Sequence, residues 1–194
     1  MKPAVADRRI AGMGQRSQSV AIDTNVLINL IHVERLDLLG KVPGFEFVAP
    51  EEVVEEVARP EQAQLPEEAI RRGDLRREAI TDGERILYAD LLDVIDDGEA
   101  ACMAMAQARG WLIATDERRR ILRLAHERLG PRSVLNTAGL LVLAIRGGIL
   151  SIEEADRIKG RLENRRFRMK FGSFREVSPG GSGEVSVPAE EIFD

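Results

Sequence analysis

Apolar residues along the chain fall into short unbroken runs that alternate with helical spacings. Residues 19–23 (SVAID) are β-branched and apolar over the length of a short buried strand. From 24 to 36, Val26, Leu27, Leu30, Ile31 and Val33 recur at helical spacing. Residues 45–49 predict a second strand. Pro50 and the glutamates after it predict a helix over 51–58, because proline and acids favour a first turn. The stretch 60–66 predicts a break, 67–72 a helical turn and 75–80 a weak strand. Helical periodicity returns over 84–95, and 99–108 is apolar nearly all round, which suits a fully buried helix stopped by Gly110. Residues 111–115 (WLIAT) predict a third strand. A basic helix over 117–127, halted by Gly130-Pro131, a short strand at 133–136 and a helix over 137–145 follow. Ser151 and Glu154 have capping-box spacing and open a helix over 152–162. Strands alternating with helices predict an α/β domain whose parallel sheet has 19–23 at its centre beside 45–49 and 111–115.

The chain has 194 residues, 44% hydrophobic and 31% charged, the balance of one soluble domain with tails rather than of a disordered chain. The pattern divides it into a flexible arm (1–18), an α/β domain (19–150), a C-terminal helix with a basic and aromatic segment (151–177) and a flexible acidic tail (178–194). One cysteine, Cys102, excludes an intrachain disulfide and a thiolate zinc site. Two histidines, His32 and His126, exclude a His-rich metal site. The longest apolar run, 100–106, is far short of the ~20 residues that cross a bilayer, and the polar first residues lack the apolar core of a secretory leader. A reducing, cytoplasmic setting without a membrane partner is expected. The net charge of −5 conceals a segment, 157–175, with eight basic residues against one acid, Glu163.

In parallel sheets ligands bind beyond the carboxyl ends of the strands, and acids gather there. The first strand ends in Asp23, followed by Thr24 and Asn25, and the second runs into Glu51, Glu52, Glu55 and Glu56. The buried helix begins Asp96-Asp97-Gly98-Glu99, and the third strand ends Thr115-Asp116-Glu117. Singly, Asp23 and Asp116 can cap the helices after them, Asp96 and Glu99 have capping-box spacing, and the glutamates can be a solvated face. Together, carboxylates from four segments at one edge suit a hard divalent cation, Mg²⁺ or Mn²⁺. No glycine-rich phosphate loop is present, and neither histidine falls at a strand end, so both read as structural or solvated. Cys102 reads as core.

The motifs V-A-I-D-T-N at 20–25, P-x-x-V-x-x-E-V at 50–57, D-x-G-E-A at 96–100 and I-A-T-D-E at 113–117 occur in order. With Asn136-Thr137-Ala138-Gly139-Leu140-Leu141 and Arg146-Gly147-Gly148 they resemble a PIN-domain ribonuclease, including the VapC-type toxins. The resemblance spans roughly 20–150. It implies a three-layer α/β/α sandwich around a parallel sheet and Mg²⁺- or Mn²⁺-dependent cleavage of single-stranded RNA. By position, Asp23, Glu56, Glu99 and Asp116 match the catalytic acids, converging on one cleft with Asp96 at its rim. Helical geometry alone leaves Glu55 and Glu56 both flanking the apolar face of their helix, with Glu52 pointing furthest from it. For the fourth acid, the family's common spacing selects Glu117 and the subgroup's Asp-Glu favours Asp116, which is ranked first. Asp23, Glu99, Asp116, Asp96 and Glu117 form the implied metal set, with Thr24, Asn25 and Thr115 as supporting polar groups.

For RNA, Arg118 and Arg119 follow the fourth motif, and Arg165, Arg166, Arg168 and Lys170 interleave with Phe167, Phe171 and Phe174. Such residues hold phosphates and stack bases, or else the rings pack on the domain or a second copy while the charges face water. The resemblance implies a homodimer and a possible antitoxin partner. The competing reading is a catalytically silent RNA-binding or adaptor protein, which would be expected to have lost one of the acids.

Overall fold

The computed structural model describes residues 17–57, 64–117 and 119–178. The expectations for 1–16, 58–63, Arg118 and 179–194 lie outside them. Five strands form a single sheet: β1 (Gln18–Ile22), β2 (Phe45–Pro50), β3 (Arg76–Glu78), β4 (Leu112–Ala114) and β5 (Val134–Leu135). All neighbours pair in parallel, in the order β3-β2-β1-β4-β5. The first strand is central, as its continuous apolar run requires: Val20, Ala21 and Ile22 are fully buried.

Ten helices among the described residues flank the sheet in a three-layer α/β/α arrangement. They are α1 (Thr24–His32), α2 (Leu38–Lys41), α3 (Glu51–Val57), α4 (Gln64–Arg72), α5 (Arg85–Leu92), α6 (Asp97–Arg109), α7 (Arg120–Leu129), α8 (Thr137–Arg146), α9 (Ile152–Glu163) and α10 (Phe174–Val177). The apolar run 100–106 lies in α6, every residue of it buried, packed across β1, β2 and β4. Gly110 ends α6 in the left-handed conformation, φ 66°, where a β-carbon would be strained. Both Ser151 and Glu154 make their capping-box bonds at the start of α9. Ala155, Ile158 and Leu162 of α9 and Phe174 of α10 belong to the same buried core as the sheet.

Three boundaries differ from expectation. Helix α1 stops at His32 instead of running to 36, because Glu34 is left-handed (φ 58°) and the Arg35 N–H turns back to the Leu30 carbonyl at 2.9 Å. Arg161 of α9 secures that end, donating to the Val33 carbonyl at 2.9 Å and the His32 carbonyl at 3.3 Å and pairing with Glu34. Helix α4 takes in Pro66, which a first turn tolerates because its missing N–H has no partner there in any case. Helix α7 starts at Arg120 rather than 117, leaving Thr115, Asp116 and Glu117 as a non-helical run after β4.

The far end of α6 carries a compact ionic cluster. Arg109 donates to Glu84 through Nη2 at 2.9 Å and also bonds Glu78, while its guanidinium lies 4.7 Å from the centre of the Trp111 ring. Glu84 is 3% exposed. The Arg109 guanidinium beside it pulls its carboxyl down to about 2. The cluster ties β3, α5 and α6 to the start of β4.

Candidate active site

The chain runs β1, β2, β3 outward on one side and then resumes with β4 on the other side of β1. The strand order therefore reverses between β1 and β4, and a crevice opens beyond their carboxyl ends. Asp23 follows β1 there and Thr115 follows β4. Asp23 is 3% exposed. It is the N-cap residue of α1, but its Oδ1 accepts from the N–H of Thr24, the first helix residue, at 2.7 Å, and not from that of the second or third residue that an ordinary cap serves. Oδ2 accepts from Asn25 Nδ2 at 2.7 Å and from Thr115 Oγ1 at 3.0 Å. Asn25 also accepts the Asp116 N–H at 3.0 Å, so it fastens the two strand ends together. Thr115 Oγ1 further accepts the Glu117 N–H at 3.2 Å.

Burial pushes the Asp23 carboxyl up to about 7, its hydrogen bonds work in the opposite direction, and the charges of Glu99 and Glu56 add to the rise. Glu99, in the first turn of α6, is also raised, by burial first and then by Asp96 and Glu117, while Arg120 opposes the shift from 3.7 Å. Its Oε2 accepts the Asp96 N–H at 3.2 Å, so Glu99 serves the helix start as well as the crevice. Thr24 Oγ1 donates to Glu56 Oε2 at 2.7 Å and draws that carboxylate from α3 toward β1. A β-carbon on Gly98 would stand 2.8 Å from Glu56 Oε2 and 3.2 Å from Thr24 Oγ1, so the glycine of the third motif makes room for this pair.

Within α3 the expectation for Glu52 is overturned. Glu55 and Glu56 are exposed, whereas Glu52 is half-buried, its carboxyl raised by burial and by Asp97. Helix α3 packs against α6 as well as α1, so its apolar face is wider than its valines indicate. Glu52 Oε2 is buried with no hydrogen-bond partner among the described residues.

Asp116 and Glu117 part company. The Asp116 carboxylate accepts from Asn29 Nδ2 at 2.9 Å, the Thr137 N–H at 2.9 Å and Thr137 Oγ1 at 2.5 Å. It thereby joins α1 to the first turn of α8, whose N-cap Asn136 accepts the Gly139 N–H at 2.8 Å. Glu117 is exposed and lies within the electrostatic reach of Glu99.

Asp23 thus feels the charges of Glu56 and Glu99, and Glu99 those of Asp96 and Glu117. Among the described residues no three His, Cys, Asp or Glu side chains stand close enough to hold a metal ion together. The donor chemistry nevertheless fits a hard cation. The set is all oxygen, its central member is buried, and that member has no cationic side chain among its hydrogen-bond partners. Mg²⁺ in particular is held by one or two carboxylates plus water and substrate phosphate, not by a closed protein cage.

Cations stand on the other side of the crevice. Arg165, Arg166 and Arg168 line a cavity of about 550 Å³ with His32, Asn29, Asp116 and Glu117. Lys170 borders a second, of about 450 Å³, with Phe167 and Phe171. Arg119 faces away into a shallow depression along α7 with Arg123 and His126. Phe174 is core, whereas Phe167 and Phe171 are half-buried at the crevice. His32, read as structural or solvated, lines the crevice, and burial together with Arg165 lowers its pKa. Asn29 carried no signal in the sequence, and Thr137 appeared only within the Asn136–Leu141 motif with no role assigned to it. Cys102 is fully buried, as expected.

A family model described as a PIN domain matches residues 19–178. The chain belongs to the PIN-domain family, whose members are in general nucleases of the hydrolase class that use divalent metal ions. The matched span includes α9 and α10, beyond the limit of about 150 set by the motifs. No curated protein and no solved structure matches the chain. No helix among the described residues is long and apolar enough to cross a membrane.

Proposed function

We propose that the protein is a metal-dependent endoribonuclease that hydrolyses single-stranded RNA at the crevice between β1 and β4. The observation that carries this reading is the buried Asp23 carboxylate at the reversal of strand order, faced by Glu56 and Glu99 from two other elements. Asp23, Glu99 and Glu117 are the carboxylates that would hold Mg²⁺ or Mn²⁺, with Asp96 at the rim. A bound cation supplies Lewis acidity toward the scissile phosphate and acidity to a coordinated water. Asn25 and Thr115 fix the Asp23 carboxylate. Thr24 holds Glu56 by Oε2 and leaves Oε1 as a proton acceptor. We give the fourth acidic position to Glu117 and read Asp116 as the pin between α1 and α8, reversing the order the resemblance favours.

Two experiments test this. Manganese binding should be measurable by calorimetry, and a mixed-sequence RNA should be cut with Mn²⁺ and spared with EDTA. Binding of RNA without any metal-dependent cleavage would instead favour the silent reading. The motif resemblance to VapC-type toxins extends the proposal to a homodimeric toxin in a cytoplasmic toxin–antitoxin pair, for which growth arrest on induced expression is the test.

A further inference from the structure

We infer that the segment after α9 builds a two-part cleft in which the backbone of single-stranded RNA follows an arginine groove and one unstacked base enters an aromatic pocket, with Phe167 dividing the two. The inference rests on the nuclease reading and adds to it a base subsite. The cavities of about 550 and 450 Å³ share Asp116, Glu117 and Phe167, so they meet beside the acidic crevice. They differ in what each adds to those shared residues. The larger presents Arg165, Arg166, Arg168 and His32, which suits phosphates. The smaller is walled on one side by Phe167, Phe171, Met169 and Leu122 and carries Lys170, Asn136 and Thr115 beside the shared acids, which suits an aromatic face with a polar edge. A nucleotide has those two halves, joined at the spacing of one sugar. A base-paired strand cannot present a base face, so the pocket selects unpaired RNA.

Both rings are fixed in place. Phe171 packs edge-to-face on Phe174, with ring centres 4.9 Å apart, and Phe174 is fully buried. Asp156 of α9 holds that anchor, accepting the Phe174 N–H at 2.8 Å and the Ser173 hydroxyl at 2.6 Å. Phe167 follows Arg166, a non-glycine residue in the left-handed region at φ 70°. The Phe167 N–H returns to the Leu162 carbonyl at 3.1 Å. That costly turn reverses the chain after α9 and delivers the ring between two arginines at the mouth of the crevice.

The test is fluorescence anisotropy of a short mixed-sequence RNA with the full chain in EDTA, where cleavage is suppressed. Phe167→Leu and Phe171→Leu keep apolar bulk and lose the ring, and each should weaken binding about tenfold. The same RNA annealed to its complement should bind more weakly and respond to neither change. Arg165→Gln should reduce the salt dependence of binding. Wild-type affinity in both leucine variants, with unchanged melting, would overturn the inference and leave the pocket to an apolar peptide of a partner protein. Equal ring dependence on duplex would also overturn it. Ring-dependent binding without cleavage in manganese would reject the nuclease reading and keep the subsite. Manganese-dependent cleavage with ring-independent binding would do the reverse.

Discussion

The two ends of α6 handle buried acid in opposite ways. At its start, Asp23, Glu99 and Glu56 face a crevice, and both Asp23 and Glu99 hold their protons more tightly than usual. At its end, about 18 Å further along the helix axis, Glu78 and Glu84 are matched by Arg109, and Glu84 gives up its proton far more readily than usual. One helix thus carries an acidic centre in which the buried Asp23 has no cationic hydrogen-bond partner and Glu99 has only Arg120 at 3.7 Å, and a closely matched ionic lock. Matched charge holds elements together. Unmatched charge is tolerated where it does chemistry, and strongly perturbed carboxylates in a cleft mark such places.

The largest contrast should come from removing one charge at each end. Asp23→Asn should abolish metal-dependent RNA cleavage while leaving the melting temperature without metal unchanged or higher, since it removes a desolvated charge and keeps the volume. Retained cleavage by the purified variant would refute the catalytic role. Arg109→Ala should do the reverse. It strands Glu84 without its partner, and breaking a buried pair costs about 3–5 kcal/mol, which urea unfolding will read. The fraction that remains folded should cut RNA normally.

Acid should open the lock next. The folded pKa of Glu84 lies below its ordinary value, so its contribution is complete above about pH 5 and disappears as pH falls through about 2. Replacing it by glutamine should flatten the fall in urea midpoint between those limits. An identical acid profile in Glu84→Gln would show that the lock does not govern acid unfolding.

The smallest effects separate the two glycines near the helix ends. Gly98→Ala introduces a β-carbon at 2.8 Å from Glu56 Oε2, a movable, exposed group, and at 3.2 Å from Thr24 Oγ1 and the buried Val53 Cγ2. Alanine's helix propensity offsets part of the crowding, so melting should fall by only a degree or so, about the scale of a few tenths of a kcal/mol, while cleavage falls several-fold. Gly110→Ala forces a side chain into φ 66°. It should lose about 1 kcal/mol of stability and no activity.

Much of the centre could be read from sequence because the sheet is simple. A buried parallel strand announces itself as an apolar run, and its end falls at the ligand-binding edge, which singled out Asp23 and the Thr115-Asp116-Glu117 run, while the acids at the start of α6 stood before the other long apolar run, that of a buried helix. The choice between Asp116 and Glu117 could not be read locally. Adjacent residues in an extended run diverge, and what captures Asp116 is Thr137, 21 residues on, together with Asn29 of α1. Helix α1 looks longer in sequence than it is, because its end is set by Arg161, 128 positions from Val33. The Arg109 lock was invisible for the same reason, since its partners lie 25 and 31 residues away.

The strand order also sets a timetable for synthesis. Asp23 meets Thr115 across 92 residues, and Asn29 meets Thr137 across 108. Contacts so distant in sequence close late, since the loop entropy precedes the reward. At roughly 5–20 residues per second, a ribosome delivers Thr137 about 6–23 seconds after Asp23. During that interval the central strand has its β2 neighbour and no β4, and the crevice has only one wall. Whatever the centre does to RNA is therefore withheld from the nascent chain until synthesis has passed Thr137.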